Sequence, residues 1–337
     1  MTACLLRSNR GFSALCVAAG SVVLVAAQAA AIDPALPHYE ARAFDNPRTA
    51  SWINAEGAVV VVGYNDMQEI MQPLAARFAA AHPGIRWALD LRGTRFAPQA
   101  LAQGRSAFAP MGALFTPPQL QSYRAIAGHE PMAFRIAHAS LDARALSGPL
   151  AVFVHRDNPL AALTLEQIAR IYSGQDVRWG ELGLQGEWAA RAIHAIGVKP
   201  GTALAFEFQQ KALGTGDFTP GMTGFAQSAE VVAQVATDMQ AIGFAAAMRG
   251  SPSVRALAIA QRTGEAPMLP TQDNIIAGRY PLDRYLLIYA ARPLPPLVRE
   301  FLRLALSREG QEAVAASPQG YLPLTASEAA IERAKLD

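Results

Sequence analysis

The sequence predicts an α/β fold divided into two lobes, and three observations lead to this prediction. From about residue 58 to residue 103, short apolar segments alternate with segments of helical periodicity, which is typical of a largely parallel sheet with helices between its strands. A second series of apolar and helical segments begins near residue 150. The chain has 337 residues, of which 51% are hydrophobic. Chains of this size and apolar content usually form two lobes.

The first strand is predicted at residues 58–62, a short apolar and mostly β-branched segment that ends at Gly63. Such a segment is typical of a strand buried on both faces. A helix with Pro73 inside it follows, and Asn65 or Asp66 can cap its start. Its apolar side is formed by Met67, Ile70, Leu74 and Phe78.

Later elements follow the same alternation. Thr164 and Gln167 have the spacing of a capping box and predict a helix start. The other strands are predicted at residues 85–91, 150–154, 192–196 and 285–290, and the other helices near residues 98–103, after residue 202, from residue 228 and at residues 296–315.

The first 31 residues are predicted to be a cleaved signal peptide. Arg7 and Arg10 precede an apolar segment at about residues 12–27, and a run of small residues with A-x-A sites follows it. A membrane anchor is the alternative, because this segment is close to the length that crosses a bilayer. Its alanine-rich composition and cleavable end favour cleavage. Cys16 lies inside the apolar segment, which disfavours a lipoprotein.

Removal of the signal peptide leaves a neutral chain without cysteine. Both cysteines, Cys4 and Cys16, are removed, so we expect no disulfide and no cysteine-ligated metal. Arg7 and Arg10 account for two of the 29 basic residues, which leaves 27 against 27 acidic residues. A chain without basic surplus is not expected to bind nucleic acid.

No motif for catalysis, for a metal or for a cofactor stands out. The sequence contains no G-x-S-x-G, no phosphate-binding P-loop and no G-x-G-x-x-G. None of its six histidines has a second histidine four residues away, as a helical metal site requires. The methionines are interpreted as core residues. We therefore expect no catalytic residue, no metal site and no cofactor.

Short motifs follow one another along nearly the whole chain beyond the signal peptide. They lie at residues 63–84, 97–104, 109–111, 150–159, 163–168 (LTLEQI), 179–184 (WGELGL), 231–244, 279–282, 298–302, 306–311 and 321–324 (YLPL). In their order and spacing they resemble the phosphate-type substrate-binding proteins of ABC transporters, a family with the type II periplasmic binding protein fold.

The resemblance implies two lobes, each a mainly parallel sheet flanked by helices, with a ligand cleft between them. It implies an N-terminal leader at residues 32–56, a first lobe at 57–147 and 270–323, a second lobe at 148–269 and a C-terminal tail at 324–337. Loops at strand ends and helix N-termini would hold the ligand. Unpaired N–H groups at a helix start can bind an oxyanion without a basic surface.

Several positions depart from the family pattern in the ligand loops. The family's arginine in the second-lobe loop falls at Val198, and the last threonine of that loop falls at Leu204. The family's carboxylate, which accepts the proton of hydrogen phosphate, falls at Ala107. A Ser-Arg pair of the family falls at Gly112 and Ala113. The resemblance therefore implies a cleft that has lost its selectivity for a protonated oxyanion.

The ligand contacts are predicted at Asn65, Asp66, Thr94, Arg95, Lys199, Gly201 and Thr202. For Asn65 and Asp66 the alternative is a simple helix cap. For Arg95 and Lys199, which would supply positive charge, the alternative is a solvated surface charge. The Asp66 carboxylate would repel an anion unless Arg92 or Arg95 pairs with it.

The leading hypothesis is a periplasmic solute-binding protein that captures phosphate or a phosphate-like oxyanion for an inner-membrane ABC transporter. Its expected partners are the small-molecule ligand and the transporter permease, and we expect a monomer. A second hypothesis is a binding module that has lost its ancestral ligand and acts as a sensor or as a scaffold for a protein partner. A third, an enzyme on the same fold, lacks a positioned nucleophile or acid–base pair.

Overall fold

Three clusters of buried hydrophobic residues organise the described part of the chain; the two largest are called the first and the second core, and the smallest contains Phe115 and Tyr289. The first core contains Phe78 and Phe301, and the second contains Tyr172, Trp179 and Phe244. Helices surround small sheets in both halves of the structure. The predicted α/β fold with two lobes is confirmed.

The computed structural model describes residues 31–45 and 49–336. The predicted signal peptide, apart from its last residue, lies outside the described residues. Within the described ranges, no helix combines the length and the apolar character that crossing a membrane requires.

The strands in the described ranges are β1 (Val59–Val62), β2 (Trp87–Asp90), β3 (Ala109–Met111), β4 (Met132–His138), β5 (Leu150–His155), β6 (Ala162–Thr164), β7 (His194–Val198), β8 (Thr223–Phe225), β9 (Ala241–Ala246), β10 (Val254–Ala256), β11 (Ala258–Ala260) and β12 (Tyr285–Ala290). The α-helices there are α1 (Gln68–Ala81), α2 (Ala97–Ala102), α3 (Pro117–Ala127), α4 (Leu165–Tyr172), α5 (Ala203–Phe208), α6 (Ser228–Thr237), α7 (Gln272–Ile276), α8 (Pro296–Ala305), α9 (Arg308–Ala315) and α10 (Ala326–Arg333).

Two of the local sequence patterns are found as predicted. The apolar strand is β1, and the helix that contains Pro73 is α1. The capping box opens α4: the amide of Gln167 donates to Thr164 Oγ1 at 3.1 Å, and the amide of Thr164 donates to Gln167 Oε1 at 2.9 Å.

The first lobe is built on two small sheets that meet near β3. β1 pairs in parallel with β2, and β12 pairs antiparallel with β3 and β4. The amide of Ala107 donates to the carbonyl of Val60 at 2.9 Å, and the amide of Tyr64 donates to the carbonyl of Pro110 at 3.0 Å. A Cβ on Gly63 would lie 2.8 Å from the Pro110 carbonyl oxygen. Only glycine allows this close approach of the two chain segments.

The second lobe contains a five-stranded sheet in the order β10-β5-β9-β7-β8. In it β7 is parallel to β8 and β9, whereas β5 is antiparallel to β9 and β10. The first lobe therefore combines a parallel and an antiparallel sheet and the five-stranded sheet of the second lobe is mixed, so the strands are less uniformly parallel than the sequence predicted. The chain enters β5 and β12 from the other lobe, at the end of the sheet that faces that lobe. These two strands therefore run antiparallel to the strands with which they pair.

Two chain segments cross between the lobes side by side. The amide of Ala139 donates to the carbonyl of Arg284 at 2.8 Å, and the amide of Leu150 donates to the carbonyl of Leu282 at 2.9 Å. We refer to residues 139–149 and 281–284 as the crossing segments. Their hydrogen bonds fix the base of the cleft between the lobes.

The lobe boundaries drawn from the sequence stay predictions, and the packing of the two cores bears on them. Ile275, Tyr280 and Leu282 lie in the second core, beyond the expected boundary at residue 269. Trp52 of the leader and Leu336 of the tail lie in the first core.

Candidate functional site

A cavity of ≈ 530 Å³ lies between the lobes, next to the crossing segments. Its polar lining residues are Tyr64, Thr94, Ser147, Gln227, Ser228, Arg249 and Arg284. Its apolar lining residues are Gly112, Ala113, Leu146, Ala203, Leu204, Ala229, Ala246 and Met248. Residues from both lobes contribute, as a cleft that captures a ligand requires. We call this cavity the cleft.

A buried ion pair forms the floor of the cleft. The guanidinium of Arg284 donates to both carboxylate oxygens of Glu207, and Glu207 also accepts the amide of Leu114 at 2.8 Å. Arg284 further donates to the carbonyls of Gly148 at 3.0 Å and Gly112 at 3.1 Å. Burial opposes the charged form of Arg284, but the Glu207 carboxylate outweighs it and raises the pKa above its ordinary value. Arg284 is therefore a charged but already neutralised group.

Arg249 is the second arginine of the cleft, and no acidic side chain in the described part of the chain neutralises its charge. Its guanidinium, on the second lobe, donates to the carbonyls of Ala143 at 3.1 Å and Ala145 at 3.3 Å in the first crossing segment. Within the described residues no carboxylate forms an ion pair with it. A guanidinium has five N–H donors, so Arg249 keeps donors for a ligand.

The N-terminus of α6 borders the cleft beside Arg249. The amides of Ser228 and Ala229 have no acceptor in the described part of the chain, and both residues line the cleft. Ser228 Oγ accepts the amide of Ala246 at 3.1 Å, which holds the helix start against the end of β9. Free amides at the start of a ten-residue helix favour a negative charge in front of them.

Tyr64 fills the wall of the first lobe. Ser147 Oγ lies 3.2 Å from the Tyr64 hydroxyl and donates to the Gly112 carbonyl at 2.9 Å. Burial raises the pKa of Tyr64 to about 12, so its phenol is protonated at neutral pH. A Cβ on Gly112 would lie 2.2 Å from the Tyr64 ring. The tyrosine ring therefore requires glycine at position 112.

Of the predicted contact residues, Thr94 lines the cleft and the others do not. Asn65 and Lys199 are exposed, and Arg95 is exposed with its guanidinium 4.5 Å from the centre of the Phe96 ring. The Thr202 side chain caps α5 by accepting the amide of Ala205 at 3.3 Å. The position of a side chain does not show whether it binds a ligand, so the contacts stay predictions. Gly201 lines a separate, smaller cavity of ≈ 180 Å³.

Asp66 has a structural role that the sequence did not suggest. Its carboxylate is buried and accepts the amide of Leu146 at 2.8 Å and the hydroxyl of Tyr321. It pairs with neither Arg92 nor Arg95. The alternative of a helix cap is wrong for Asn65 and Asp66, because neither side chain caps the 3₁₀ turn or α1.

The departures from the family pattern divide into two groups. Gly112, Ala113 and Leu204 line the cleft and make its wall more apolar. Ala107 and Val198 are buried, with 2% and 3% of their surface exposed, and do not line the cleft.

Arg249, Arg284 and the start of α6 were missed as site residues. The sequence did predict a helix start at Ser228, which was a usable signal for an anion site. Arg249 follows soon after β9, at the cleft end of a strand, where ligand loops of α/β folds lie. Arg284 had no local signal, because its partner Glu207 is 77 residues away in the sequence.

The cleft, its two lobes and the crossing segments define a binding protein of the two-lobed class. The sequence model of the PBP superfamily domain matches residues 48–309. The phosphate-binding protein PstS of Pseudomonas aeruginosa is 34% identical over 322 residues, which cover 92% of this chain and 93% of that protein. The chain therefore belongs to the PBP superfamily and, within it, to the family of the phosphate-binding protein PstS.

Solved structures show the same fold. An ABC-type phosphate transport receptor from Vibrio cholerae aligns with a TM-score of 0.53 and 22% identity, over 78% of this chain and 98% of that chain. PstS from Borrelia burgdorferi aligns with a TM-score of 0.52 and 16% identity, over 79% and 98%. At these identities the comparison supports the fold alone.

Proposed function

We propose that this chain is a periplasmic solute-binding protein that captures phosphate or a phosphate-like oxyanion in the cleft and delivers it to an ABC transporter permease in the inner membrane. In this proposal its export depends on the signal peptide at residues 1–31. The protein is a monomer, uses no cofactor, binds no nucleic acid and leaves its ligand chemically unchanged. The similarity to the phosphate-binding protein of Pseudomonas aeruginosa supports the class of ligand.

The observation that carries the proposal is the position of Arg249 beside the start of α6. An unneutralised guanidinium and the free amides of Ser228 and Ala229 border the same cavity. An oxyanion held there would accept hydrogen bonds from the guanidinium and from the backbone amides. The hydrogen bonds of Arg249 to Ala143 and Ala145 also join the two lobes, so ligand binding and lobe closure act on one side chain.

We expect the Arg249→Gln change to weaken oxyanion binding about 10- to 100-fold, the effect of losing one charge-assisted hydrogen bond of about 1.5–3 kcal/mol. Calorimetric titration of refolded, ligand-stripped protein with phosphate, sulfate, phosphonates and small carboxylates measures it. Arg262→Gln, at an exposed arginine that does not line the cleft, is the matched control and should bind like the wild type. Arg95→Gln tests the contact predicted from the sequence. Unchanged affinity in Arg249→Gln would refute this assignment.

We also expect phosphate and sulfate to bind within about tenfold of each other at pH 7, a difference of about 1.4 kcal/mol. Hydrogen phosphate carries a proton that needs an acceptor, and none of the described residues that line the cleft is Asp or Glu. The Glu207 carboxylate does not line the cleft and accepts hydrogen bonds from Arg284 and Leu114. The same titrations test this, and a phosphate preference of about a hundredfold or more contradicts it.

A protein-partner module is the second candidate function. It is favoured by the apolar substitutions at Gly112, Ala113 and Leu204, which converge on the cleft. If no small anion binds to the stripped wild-type protein, the oxyanion proposal is wrong and this second function replaces it.

A further inference from the structure

The cleft has an apolar wall as well as an anion-binding end. Leu146, Leu204 and Met248 line it together with the ring of Tyr64. The side chain of Met248 lies against Gly148, where a Cβ would be 2.3 Å from its sulfur. Leu146 is 55% exposed and lies within the concave surface. An exposed leucine on a convex surface is ordinary, but here a ligand can cover it.

A bare tetrahedral oxyanion does not match this wall. Its oxygens point in all directions, and an oxygen that faces apolar side chains loses water without gaining a donor. The donors Arg249, Ser228 and Ala229 are contributed by the second lobe, whereas Leu146 lies on the first crossing segment. A ligand with an anionic end and an apolar end provides acceptors for these donors and also covers the apolar wall.

The size of the cleft agrees with a substituted anion. Its volume is ≈ 530 Å³. Pockets that hold organic ligands have volumes of about 300–1,000 Å³ and are lined by apolar groups with a few polar groups that fix the orientation. The cleft has a volume in this range, and about half of its lining residues are apolar.

We infer that the cleft takes a phosphoryl anion with a short apolar substituent, a phosphonate or a phosphate monoester, in preference to inorganic phosphate. This inference rests on the proposed function. The anionic group lies at Arg249 and the start of α6, and the substituent lies against Leu146, Leu204 and Met248. Binding covers the exposed surface of Leu146.

Calorimetric titration with inorganic phosphate, methylphosphonate, butylphosphonate, butyl phosphate and pentanoate tests this inference. Each added methylene that is buried should tighten binding about fourfold, so butylphosphonate, with three more, should bind about sixtyfold more tightly than methylphosphonate. Comparison of butyl phosphate with butylphosphonate shows which of the two ligand types, a phosphate monoester or a phosphonate, the cleft binds more tightly. Leu146→Ser should flatten the dependence on chain length. Leu269→Ser, at a leucine that is 45% exposed and does not line the cleft, is the matched control and should retain it.

The outcomes distinguish this inference from the proposed function. If inorganic phosphate binds as tightly as butylphosphonate or more tightly, the inferred ligand class is wrong and the proposed oxyanion function stands. If pentanoate binds as tightly as butylphosphonate, the phosphoryl group is not recognised and the inference is wrong. A chain-length dependence that persists in Leu146→Ser also overturns the assigned wall. Absence of binding by every anion overturns both proposals.

Discussion

Replacement of Arg284 by methionine is expected to lower the free energy of unfolding by about 3–5 kcal/mol, the usual cost of removing one partner from a buried ion pair. The side chains of Arg284 and Glu207 are 5% and 4% exposed. The change leaves the Glu207 carboxylate buried, with the amide of Leu114 as its remaining partner, and leaves the carbonyls of Gly112 and Gly148 without this donor. Urea unfolding at pH 7, followed by circular dichroism, measures the loss.

The double variant Arg284→Met with Glu207→Gln separates the buried charge from the lost packing. It removes both charges and keeps a side-chain acceptor for Leu114, so it should be more stable than Arg284→Met alone by about 1–3 kcal/mol. Arg262→Met, at an exposed arginine, is the surface control and should change stability by less than about 0.5 kcal/mol. If Arg284→Met resembles this control, the ion pair does not stabilise the base of the cleft.

Features that depend on neighbouring residues were predictable from the sequence. Four consecutive valines followed by a glycine predict β1, because a short β-branched segment is typical of a strand that is buried on both faces. The Thr164 capping box could be recognised because all its partners lie within one helical turn. The order of such local elements was enough to identify the family.

Features that depend on contacts between distant residues were not predictable. The hydroxyl of Tyr321, which is 255 residues later in the sequence, donates to the carboxylate of Asp66. Arg249 reaches back across 104 and 106 residues to two carbonyls of the crossing segment. No periodic pattern or local motif encodes such contacts, because they form only after both lobes and the crossing segments are in place.

A charged cluster in the first lobe also depends on contacts between distant residues, and the sequence did not indicate it. His138 is fully buried at the end of β4. Its Nδ1 lies 2.6 Å from Asp283 of the second crossing segment, and its Nε2 lies 3.1 Å from Glu328 of α10. Tyr285 donates to the other oxygen of Glu328 at 3.1 Å. The imidazole therefore joins a strand, a crossing segment and the last helix.

The pKa values of the imidazole and of the Glu328 carboxylate in this cluster are shifted in opposite directions. Burial alone would lower the pKa of His138, but the hydrogen bonds and charges of Asp283 and Glu328 outweigh it and raise the pKa from 6.5 to about 9. Burial opposes ionisation of Glu328, but His138 and the hydrogen bonds from Thr325 lower its pKa from 4.5 to about 2. Burial also raises the pKa of Tyr285 well above its ordinary value, so its phenol stays protonated throughout this range.

We expect the contribution of this cluster to the free energy of unfolding to be greatest between about pH 4.5 and 6.5 and to fall on both sides of that window. Above pH 6.5 the folded protein still binds a proton on His138 that the unfolded chain releases, so the stabilisation decreases as pH rises through 9. One pKa unit corresponds to about 1.4 kcal/mol, so the total loss on the alkaline side is about 3 kcal/mol. Below pH 4.5 Glu328 becomes protonated in the unfolded chain but stays ionised in the folded protein. The stabilisation that the ionised carboxylate provides is therefore lost as pH falls towards 2. Urea unfolding from pH 3 to pH 10 measures the profile.

The His138→Gln variant tests whether His138 causes the alkaline loss. Glutamine can still hydrogen-bond to the carboxylates but does not titrate, so the alkaline loss that His138 causes should be absent from the variant. The variant should therefore be less stable than the wild type by about 3 kcal/mol at pH 6 and should approach it at pH 9.5. Parallel profiles for the two proteins would show that other groups cause the alkaline loss. A convergence near pH 9 would identify the imidazolium as the charge that holds the crossing segment to β4 and α10.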